Sequence, residues 1–455
     1  MKQFIKCGKL FTGNAMMSSG AGDQYLVLEG GSITHVGSLP QGLQPGPGDT
    51  VTDYSRYFVA PGLIDIHVHL SNGNAKTEED IDLYASVEYR ALRGMEAAQK
   101  VLMAGYTSIA DPATTGLVTP AIRDAVEAGL FVGPRITSSG RQITARQGLS
   151  DWYPRWIGVP STSIGVLVRN AAEGIEEIRC QIKDGVDFIK IAMDGDAMNP
   201  ATGLSSGFTQ EETTAMVTEA HRLGRKVITH ARGAEGIRYA AKAGVDIIFH
   251  ASWMDDEGLE WVVKNGCHIC PTLSLIVNDI DFTRATDGCY PDFPDAHKRE
   301  LESACKVLPK AKAAGVPFMV GSDAGFAVTP YGEWHARELE HLVRYLGFSP
   351  EEAMRCTTKV NAEAGLLRDG AKTGTLQAGR HADFIVVDGD PLQDIEILQD
   401  KSRLKAIYLG GEKVELALNP NAKRLRSEFS YQMWSEVYTQ QKVNELMPRK
   451  RRLAV

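Results

Sequence analysis

A regular alternation of short apolar runs with helix-like segments constrains the fold of this chain more than any other feature. Each run is long enough for one buried strand, and helical periodicity follows it. The apolar runs cover residues 63–70, 106–111, 134–140, 186–195, 226–231, 245–251, 267–273 and 316–325. Eight strand-then-helix units in about 310 residues predict an α/β protein with a (β/α)8 TIM barrel over residues 59–368.

The segment 209–224 shows how one of these helices is delimited. Thr209 is a typical N-cap residue, and Glu212 follows it at the spacing of a capping box. Gly224 is typical of the residue that follows a helix. We therefore predict a helix between these two signals.

Both ends of the chain depart from this alternation. Residues 1–58 and 369–418 carry short strand-like runs separated by Gly and Pro turns. They predict one small β-sandwich domain built from both chain ends. Residues 419–455 predict a helical tail with a basic end, which is either a solvated terminus or a subunit contact.

Composition excludes several classes of function. The chain has 455 residues and a formal net charge of -8, so it lacks the basic excess that meets nucleic-acid phosphates. No apolar run approaches the about 18 residues of a membrane span, and the N-terminus lacks a signal-peptide core. Cys267 and Cys270 form a C-x-x-C, but Ile269 places them in an apolar strand, so we interpret them as core residues. We expect a cytoplasmic protein with neither nucleic-acid nor membrane partners.

Ligand-type side chains stand near the ends of five of the apolar runs. In "GLIDIHVHL", His67 and His69 alternate with apolar residues and so share one face of a strand. The C-terminal ends of barrel strands line one mouth, which is where such folds place their active sites. The residues that fall at this mouth are His67, His69, Lys190, His230, His250 and Asp323.

A metal site explains this constellation. Imidazole and carboxylate are ligands for zinc, manganese or cobalt. An ammonium group at Lys190 would be repelled by a dication. We therefore hypothesise that its amine has reacted with CO2 to form a carbamate, whose two oxygens can bridge two metals.

With this constellation the chain resembles the metal-dependent amidohydrolase superfamily over about residues 1–415. The motifs that carry the resemblance are "APGLIDIHVHL", "AGYTSIADPA", "GPRITSSGR", "DFIKIAMDGD", "EAHRLGRKVITHA", "AGVDIIFHA", "GVPFMVGSDAG" and "GTLQAGRHADFIVVDGDPL". Within the superfamily it is most similar to the branch of imidazolonepropionase-related enzymes, prolidase-like dipeptidases and ochratoxinase-like carboxypeptidases. The lysine of "IK" in the fourth run supports this branch.

The resemblance implies a role for each ligand position. His67, His69 and Asp323 would hold the more buried metal, and His230 and His250 the second. Carboxylated Lys190 and a hydroxide would bridge the two ions, which are zinc or, alternatively, manganese or cobalt. Relatives also imply a homo-oligomer.

Departures from the family pattern bear on the substrate. Arg232, in "HARGAEG", is either an anchor for a substrate carboxylate or carbonyl, or a supporting arginine. Trp152, Tyr153 and Trp156 bring aromatic surface near the expected mouth, which favours a flat or aromatic substrate. The related hydrolases of phenylureas and thiocarbamates replace the first histidine of H-x-H with Asn, whereas this chain has His67.

These residues predict a binuclear amidohydrolase that cleaves a C–N bond of a small molecule. Candidate substrates are an N-acyl amino acid, a dipeptide, an aryl amide or a carbamate. Asp323 would be general base and then general acid to a metal-bridging hydroxide, and His250 or Arg232 would steady the oxyanion. Two alternatives remain: a mononuclear cyclic amidohydrolase or deaminase of the imidazolonepropionase type, and a non-catalytic scaffold.

Overall fold

A computed structural model of the protein describes residues 1–17, 23–195, 204–283, 293–419, 422 and 433–446. Both chain ends contribute to one sheet. Its strands are β1 (Gln3–Phe11), β2 (Met16–Met17), β3 (Gln24–Glu29), β4 (Ser32–Gly37), β5 (Thr50–Pro61), β15 (Phe384–Val387), β16 (Leu404–Leu409) and β17 (Glu412–Lys413). The strand order is β17-β16-β15-β5-β1-β3-β4, with β2 paired to β1. The two chain ends therefore meet in one sheet, and the predicted sandwich architecture stays a prediction.

The central part of the chain carries two parallel sheets. Their strands are β6 (Leu63–Asp65), β7 (Tyr106–Asp111), β8 (Arg135–Ser138), β9 (Gln142–Thr144), β10 (Gly165–Leu167), β11 (Ile189–Ala192), β12 (Val227–Ala231), β13 (Ile247–His250) and β14 (His268–Cys270). One sheet has the order β6-β7-β8 and the other β10-β9-β11-β12-β13-β14. The alternation read from the sequence thus gives parallel strands, as predicted for an α/β chain.

Helices follow most of these strands. They are α1 (Glu78–Leu83), α2 (Val87–Met103), α3 (Val118–Glu127), α4 (Ala171–Lys183), α5 (Gln210–Arg222), α6 (Ala234–Ala243), α7 (Asp256–Asn265), α8 (Leu273–Phe282), α9 (Phe293–Ala313), α10 (Arg337–Leu346), α11 (Pro350–Arg355), α12 (Asn361–Glu363) and α13 (Gln440–Leu446). Helix α5 begins after Thr209 with the predicted capping box to Glu212, and Gly224 adopts a left-handed φ of 73° just beyond it.

Two of the predicted strands differ from regular strands. β6 ends at Asp65, so His67 and His69 lie beyond it, where Val68 forms an isolated parallel bridge with Ala324. The run 316–325 also forms only bridges. Its backbone nevertheless bonds on both sides, because Met319 N donates to Ile269 O and Ile66 N donates to Val320 O. This run therefore lies between β14 and the chain that follows β6.

Two apolar layers surround the parallel strands. Side chains on one face of the strands pack on each other in an inner cluster that includes Ile64, Phe188, Ile228 and Phe249. Their neighbours on the other face pack against the helices in a larger outer cluster. Most strand residues in the central sheets are buried, as is typical of parallel sheets covered by helices.

The cysteine interpretation is confirmed. Cys267 and Cys270 are both buried and free, at 1% and 0% exposure. Among the described residues, no helix is both long and apolar enough to cross a bilayer.

Candidate metal centre

Three of the six predicted ligands meet at a single point. His67 Nε2 and His69 Nε2 are 3.1 Å apart, and each is 3.1 Å from Asp323 Oδ1. All three residues are nearly buried. They form the one group of three potential metal ligands that the described part of the chain brings within 4.8 Å. The donors are the imidazole and carboxylate groups that suit zinc and similar dications.

Contacts on the far side of each ring orient these donors. His69 Nδ1 lies 2.9 Å from the carbonyl oxygen of Ala113, which can only accept a hydrogen bond. His67 Nδ1 lies 3.2 Å from Thr272 Oγ1, whose hydroxyl in turn donates to the carbonyl of Cys270. In its neutral form, each ring therefore carries its proton on Nδ1 and points the Nε2 lone pair at the shared point. Such partners raise the affinity of histidine ligands for a metal.

Asp65 joins the two chain segments that supply these ligands. Its carboxylate accepts hydrogen bonds from His67 N at 2.9 Å and Ser322 N at 3.1 Å, and it pairs with His335 Nδ1 at 2.7 Å. The segment after β6 and the segment before Asp323 are held together in this way. Sequence reasoning did not assign Asp65 a role, although an acidic residue inside a buried apolar run was the signal available.

The other three predicted ligands form a second group beside the first. The rings of His230 and His250 are edge-to-face with centroids 4.6 Å apart, and His250 is 5.7 Å from the His67 ring. Lys190 is buried, and its Nζ lies 3.9 Å from the centroid of Phe249. The structure therefore brings all six predicted positions to one place.

Left-handed backbone shapes this end of the strands. Non-glycine residues with positive φ include His250 at 72°, Thr272 at 55° and Asp323 at 57°. Phe249 belongs to the inner cluster, so regular alternation would turn His250 away from it. The left-handed φ allows both neighbours to face the site. Backbone strain of this kind is concentrated at functional sites.

Burial dominates the electrostatics of the histidines. It holds the pKa of His67, His230 and His250 well below the ordinary value, with nearby cationic groups adding to the effect. For His69, burial lowers the pKa, but the hydrogen bond and charge of Asp323 raise it above the ordinary value overall. Three rings are thus neutral, which is the form that binds a metal.

Burial also lowers the pKa of Lys190, to about 7. The neutral amine is therefore accessible near neutral pH. A neutral amine is the form that reacts with CO2, so the observed environment fits the predicted carbamate.

Arg232, which follows β12, is held in place by acidic side chains. Its guanidinium pairs with the buried carboxylate of Glu300, which also accepts a hydrogen bond from Ser252 at 2.7 Å. Its backbone N donates to Asp194 at 2.9 Å. Arg232 lines the cavity in front of the metal-ligand residues. This position fits both predicted roles, an anchor for a substrate carboxylate or carbonyl and a supporting arginine.

A cavity of about 170 Å³ opens onto the six residues. Trp152 lines it, as the sequence predicted for the aromatic loop. Tyr153 instead donates its hydroxyl to the carbonyl of Glu78 at 3.3 Å, and Trp156 is 86% exposed. Among the lining residues that sequence reasoning did not identify are Lys76, Phe326, His297 and Tyr438.

The chain is similar in sequence to known amidohydrolases. The profile of the amidohydrolase family matches residues 58–414. Ochratoxinase from Aspergillus niger is 31% identical over 372 residues, which cover 77% of this chain and 74% of that protein. Imidazolonepropionase from Thermoplasma volcanium is 25% identical over 375 residues, which cover 78% of this chain and 83% of that protein.

A solved structure extends this similarity to the fold. The crystal structure of a Xaa-Pro dipeptidase with bound methionine superposes with a TM-score of 0.79 at 28% identity. It covers 91% of this chain and 100% of that chain. The similarity implies a TIM-barrel-like α/β fold with a separate sheet domain, and it confirms the branch that the sequence motifs indicated.

Proposed function

This chain belongs to the amidohydrolase family and is a hydrolase of C–N bonds, and from that premise we propose that it is a binuclear metallohydrolase of a small-molecule amide. The observation that carries the proposal is the convergence of His67 Nε2, His69 Nε2 and Asp323 Oδ1 at 3.1 Å from one another. Two imidazole nitrogens and a carboxylate oxygen so close together suit a shared cation. His230, His250 and Lys190 extend this donor set.

The donor set fits two divalent ions. His67, His69 and Asp323 would hold the more buried ion, His230 and His250 the second, and a carbamate on Lys190 would bridge them. Zinc suits these ligands best, and manganese or cobalt are alternatives. When bound, such ions lower the pKa of water and polarise a carbonyl group.

The chain's own residues move the protons. Asp323 Oδ1 faces the point where the ligands converge, so it accepts a proton from the attacking water and later donates it to the leaving nitrogen. His250 or Arg232 steadies the oxyanion, and both line the same cavity. Amides need this help because resonance makes the carbonyl unreactive and nitrogen is a poor leaving group.

The proposed substrate is an N-acyl amino acid, a dipeptide, an aryl amide or a carbamate. Relatives named ochratoxinase and Xaa-Pro dipeptidase support an amide next to a carboxylate. Arg232 would then bind the substrate carboxylate, which would replace part of the hydrogen bonding between Arg232 and Glu300. Trp152 would contact an aromatic group, and Tyr153 would support the loop that carries Trp152.

The relatives named imidazolonepropionase support a second candidate, a mononuclear hydrolase of a cyclic amide. In that case Lys190 would be structural. The number of ions per chain separates the two candidates, at about two against about one.

We extend the proposal to architecture and assembly. Backbone bonds from Ile66 N to Val320 O and from Asp187 N to Ser138 O link the two parallel sheets on either side, which supports closure into a (β/α)8 barrel over 59–368. Residues 1–58 and 369–418 would form the β-sandwich domain. The protein would be a cytoplasmic homo-oligomer.

A hydrolysis panel on metal-replete protein tests the function. It would contain N-acyl amino acids, dipeptides, aryl amides, aryl carbamates and cyclic amides, with products identified by mass spectrometry. Each amino-acid substrate would be paired with its carboxamide, which lacks the charge that Arg232 would bind. Cleavage of the acid but not the carboxamide supports the dipeptidase-like substrate, and cleavage of cyclic amides alone supports the second candidate. Absence of any C–N cleavage by protein with full metal content would overturn the proposal.

A further inference from the structure

The segment Met433–Leu446, which we call the C-terminal strap, packs on the loops at the cavity mouth. At its start, Trp434 N donates to the carbonyl of Gly73, and Asn74 Nδ2 donates to Ser435 O at 3.3 Å. Met433 is fully buried. Gly73 has a φ of 68°, and a Cβ added there would lie 2.9 Å from the Met433 side chain, so the loop and the strap are in close contact. This loop directly follows His67 and His69.

The Trp434 ring is fixed by helix α2. Tyr89 contacts it edge-to-face at 5.1 Å, and the Arg93 guanidinium lies 4.9 Å from the ring centroid. The indole is 7% exposed. The beginning of the strap is therefore a packed part of the domain.

The second half of the strap packs on the loop that follows Asp323. Trp334 Nε1 donates to the carbonyl of Tyr438 at 2.7 Å, and Gln440 N donates to Glu333 Oε2 at 3.0 Å. The Tyr438 ring stacks on Phe282 at 6.0 Å. The strap thus spans the two loops that follow the ligands of the first metal group.

One strap residue reaches the active-site cavity. Tyr438 lines it together with Phe326, Ala327 and Val328, and only 3% of Tyr438 is exposed. The match to the amidohydrolase family ends at residue 414, so this wall lies outside the region that the family shares.

We propose that the C-terminal strap is a fixed wall of the substrate cavity, and that the Tyr438 ring limits the size of the apolar group that the cavity accepts. This inference rests on the proposed function, because it takes the cavity to be the site where an amide substrate binds. A pocket that is delimited by one rigid ring discriminates between ligands that differ in bulk. The sequence tail would then be a specificity element.

Binding of two acids to the full-length, metal-replete protein tests the proposal. Benzoate and 2-naphthoate carry the carboxylate that amide hydrolysis releases, differ by one fused ring, and are not themselves hydrolysed. Isothermal titration gives the ratio of their Kd values. We expect Tyr438→Ala to shift this ratio in favour of 2-naphthoate by about tenfold, and Tyr438→Phe to leave it within about twofold, because the ring remains.

Leu446→Ala is the matched control, since Leu446 lies in the same strap but is 59% exposed. Should Tyr438→Ala lose its cooperative thermal transition, Tyr438→Leu replaces it, because leucine keeps apolar burial while removing the ring. An unchanged ratio in a folded variant overturns the proposal, as does an equal shift in Leu446→Ala or the absence of binding of both acids to the wild type. A protein that binds both acids with the expected shift but hydrolyses no amide contradicts the proposed function, whereas the inference that Tyr438 limits the cavity still holds.

Discussion

The two halves of the metal-ligand constellation are held in different ways. His67, His69 and Asp323 converge within 3.1 Å. Thr272 Oγ1, Ala113 O and Asp65 Oδ1 accept hydrogen bonds from the ring Nδ1 atoms and the backbone of the two histidines. His230 Nε2 lies 3.4 Å from Asp194, and the buried His250 Nδ1 has no hydrogen-bond partner among the described residues. The first half is organised by polar contacts and the second mainly by ring packing.

This difference indicates which half is preorganised before a metal binds. Contacts to the far nitrogen fix the tautomer and direction of a histidine ligand, and so reduce the reorganisation that binding requires. In the second half, the Phe249 ring packs against Lys190, and its other contact is the ring of His67 from the first half. This packing positions the lysine but supplies no opposite charge to its amine. We therefore expect the first half to bind its ion more tightly than the second.

Asp323→Asn tests the catalytic end of the first half and has the largest expected effect. An amide can still ligate a metal but cannot accept the proton from water, so kcat should fall by about 10³-fold while the first ion remains bound. Steady-state kinetics and atomic emission on the same sample measure both quantities. Asp53→Asn, at an exposed position in β5, is the control. Turnover near that of the wild type would show that Asp323 is not the base.

Lys190→Ala tests the second half. Loss of the bridging group should reduce the metal content from about two ions to about one and lower kcat/KM by about 100-fold, because the hydrolytic water is then less activated. Acetate, a short carboxylate that fits the space left by the carbamate, should restore part of the activity. Lys183→Ala, at the exposed end of α4, is the control. A wild type that holds about one ion per chain, and whose metal content and activity survive the Lys190 change, would instead favour the mononuclear candidate.

Thr272→Val sharpens the contrast in how the histidines are held. Valine keeps the shape of threonine but cannot accept the hydrogen bond from His67 Nδ1, so the affinity of the first ion should fall by about 10–100-fold. Competition with a chromophoric chelator measures this affinity. Thr213→Val is a matched control, since Thr213 is also buried but its hydroxyl bonds to Thr209 O and Met193 Sδ, neither of which belongs to a proposed ligand. Equal affinities in the two variants would contradict the role of the Thr272 hydroxyl.

The smallest effect concerns Asp194, behind His230. Burial raises the pKa of Asp194 to about 8. The folded, metal-free protein therefore binds a proton that the unfolded chain loses near pH 4, and its stability should decrease as pH rises from about 4 to about 8, by at most about 1.4 kcal/mol per pH unit. Asp194→Asn should remove the part of the slope that Asp194 contributes, as measured by urea unfolding of metal-free wild type and variant across that range. Equal slopes in the wild type and Asp194→Asn would show that Asp194 is ionised in the fold.

Much of the site was predictable because metal chemistry restricts the residue types and parallel strands restrict their positions. Lys190 and His230 lie at the predicted place since both stand on regular strands whose alternation holds, and their role as ligands stays a prediction. His67 and His69 also share a side, although β6 ends before them, because the bridge at Val68 keeps the chain extended. Thr272 and Asp65 were not predicted as site residues, since each acts through a contact with a segment far away in sequence.

The sequence by itself determined the parallel α/β pattern, the meeting of the two chain ends in one sheet, and the six positions that line one cavity. Hydrophobic periodicity and ligand chemistry are local properties that can be read from neighbouring residues. Only the tertiary structure decided the left-handed turns at His250 and Thr272, the pairing of Arg232 with Glu300, and the packing of the strap at the mouth. Those features depend on which distant side chains share one buried space, because a buried polar group or ring is stable only beside the partner that the fold supplies.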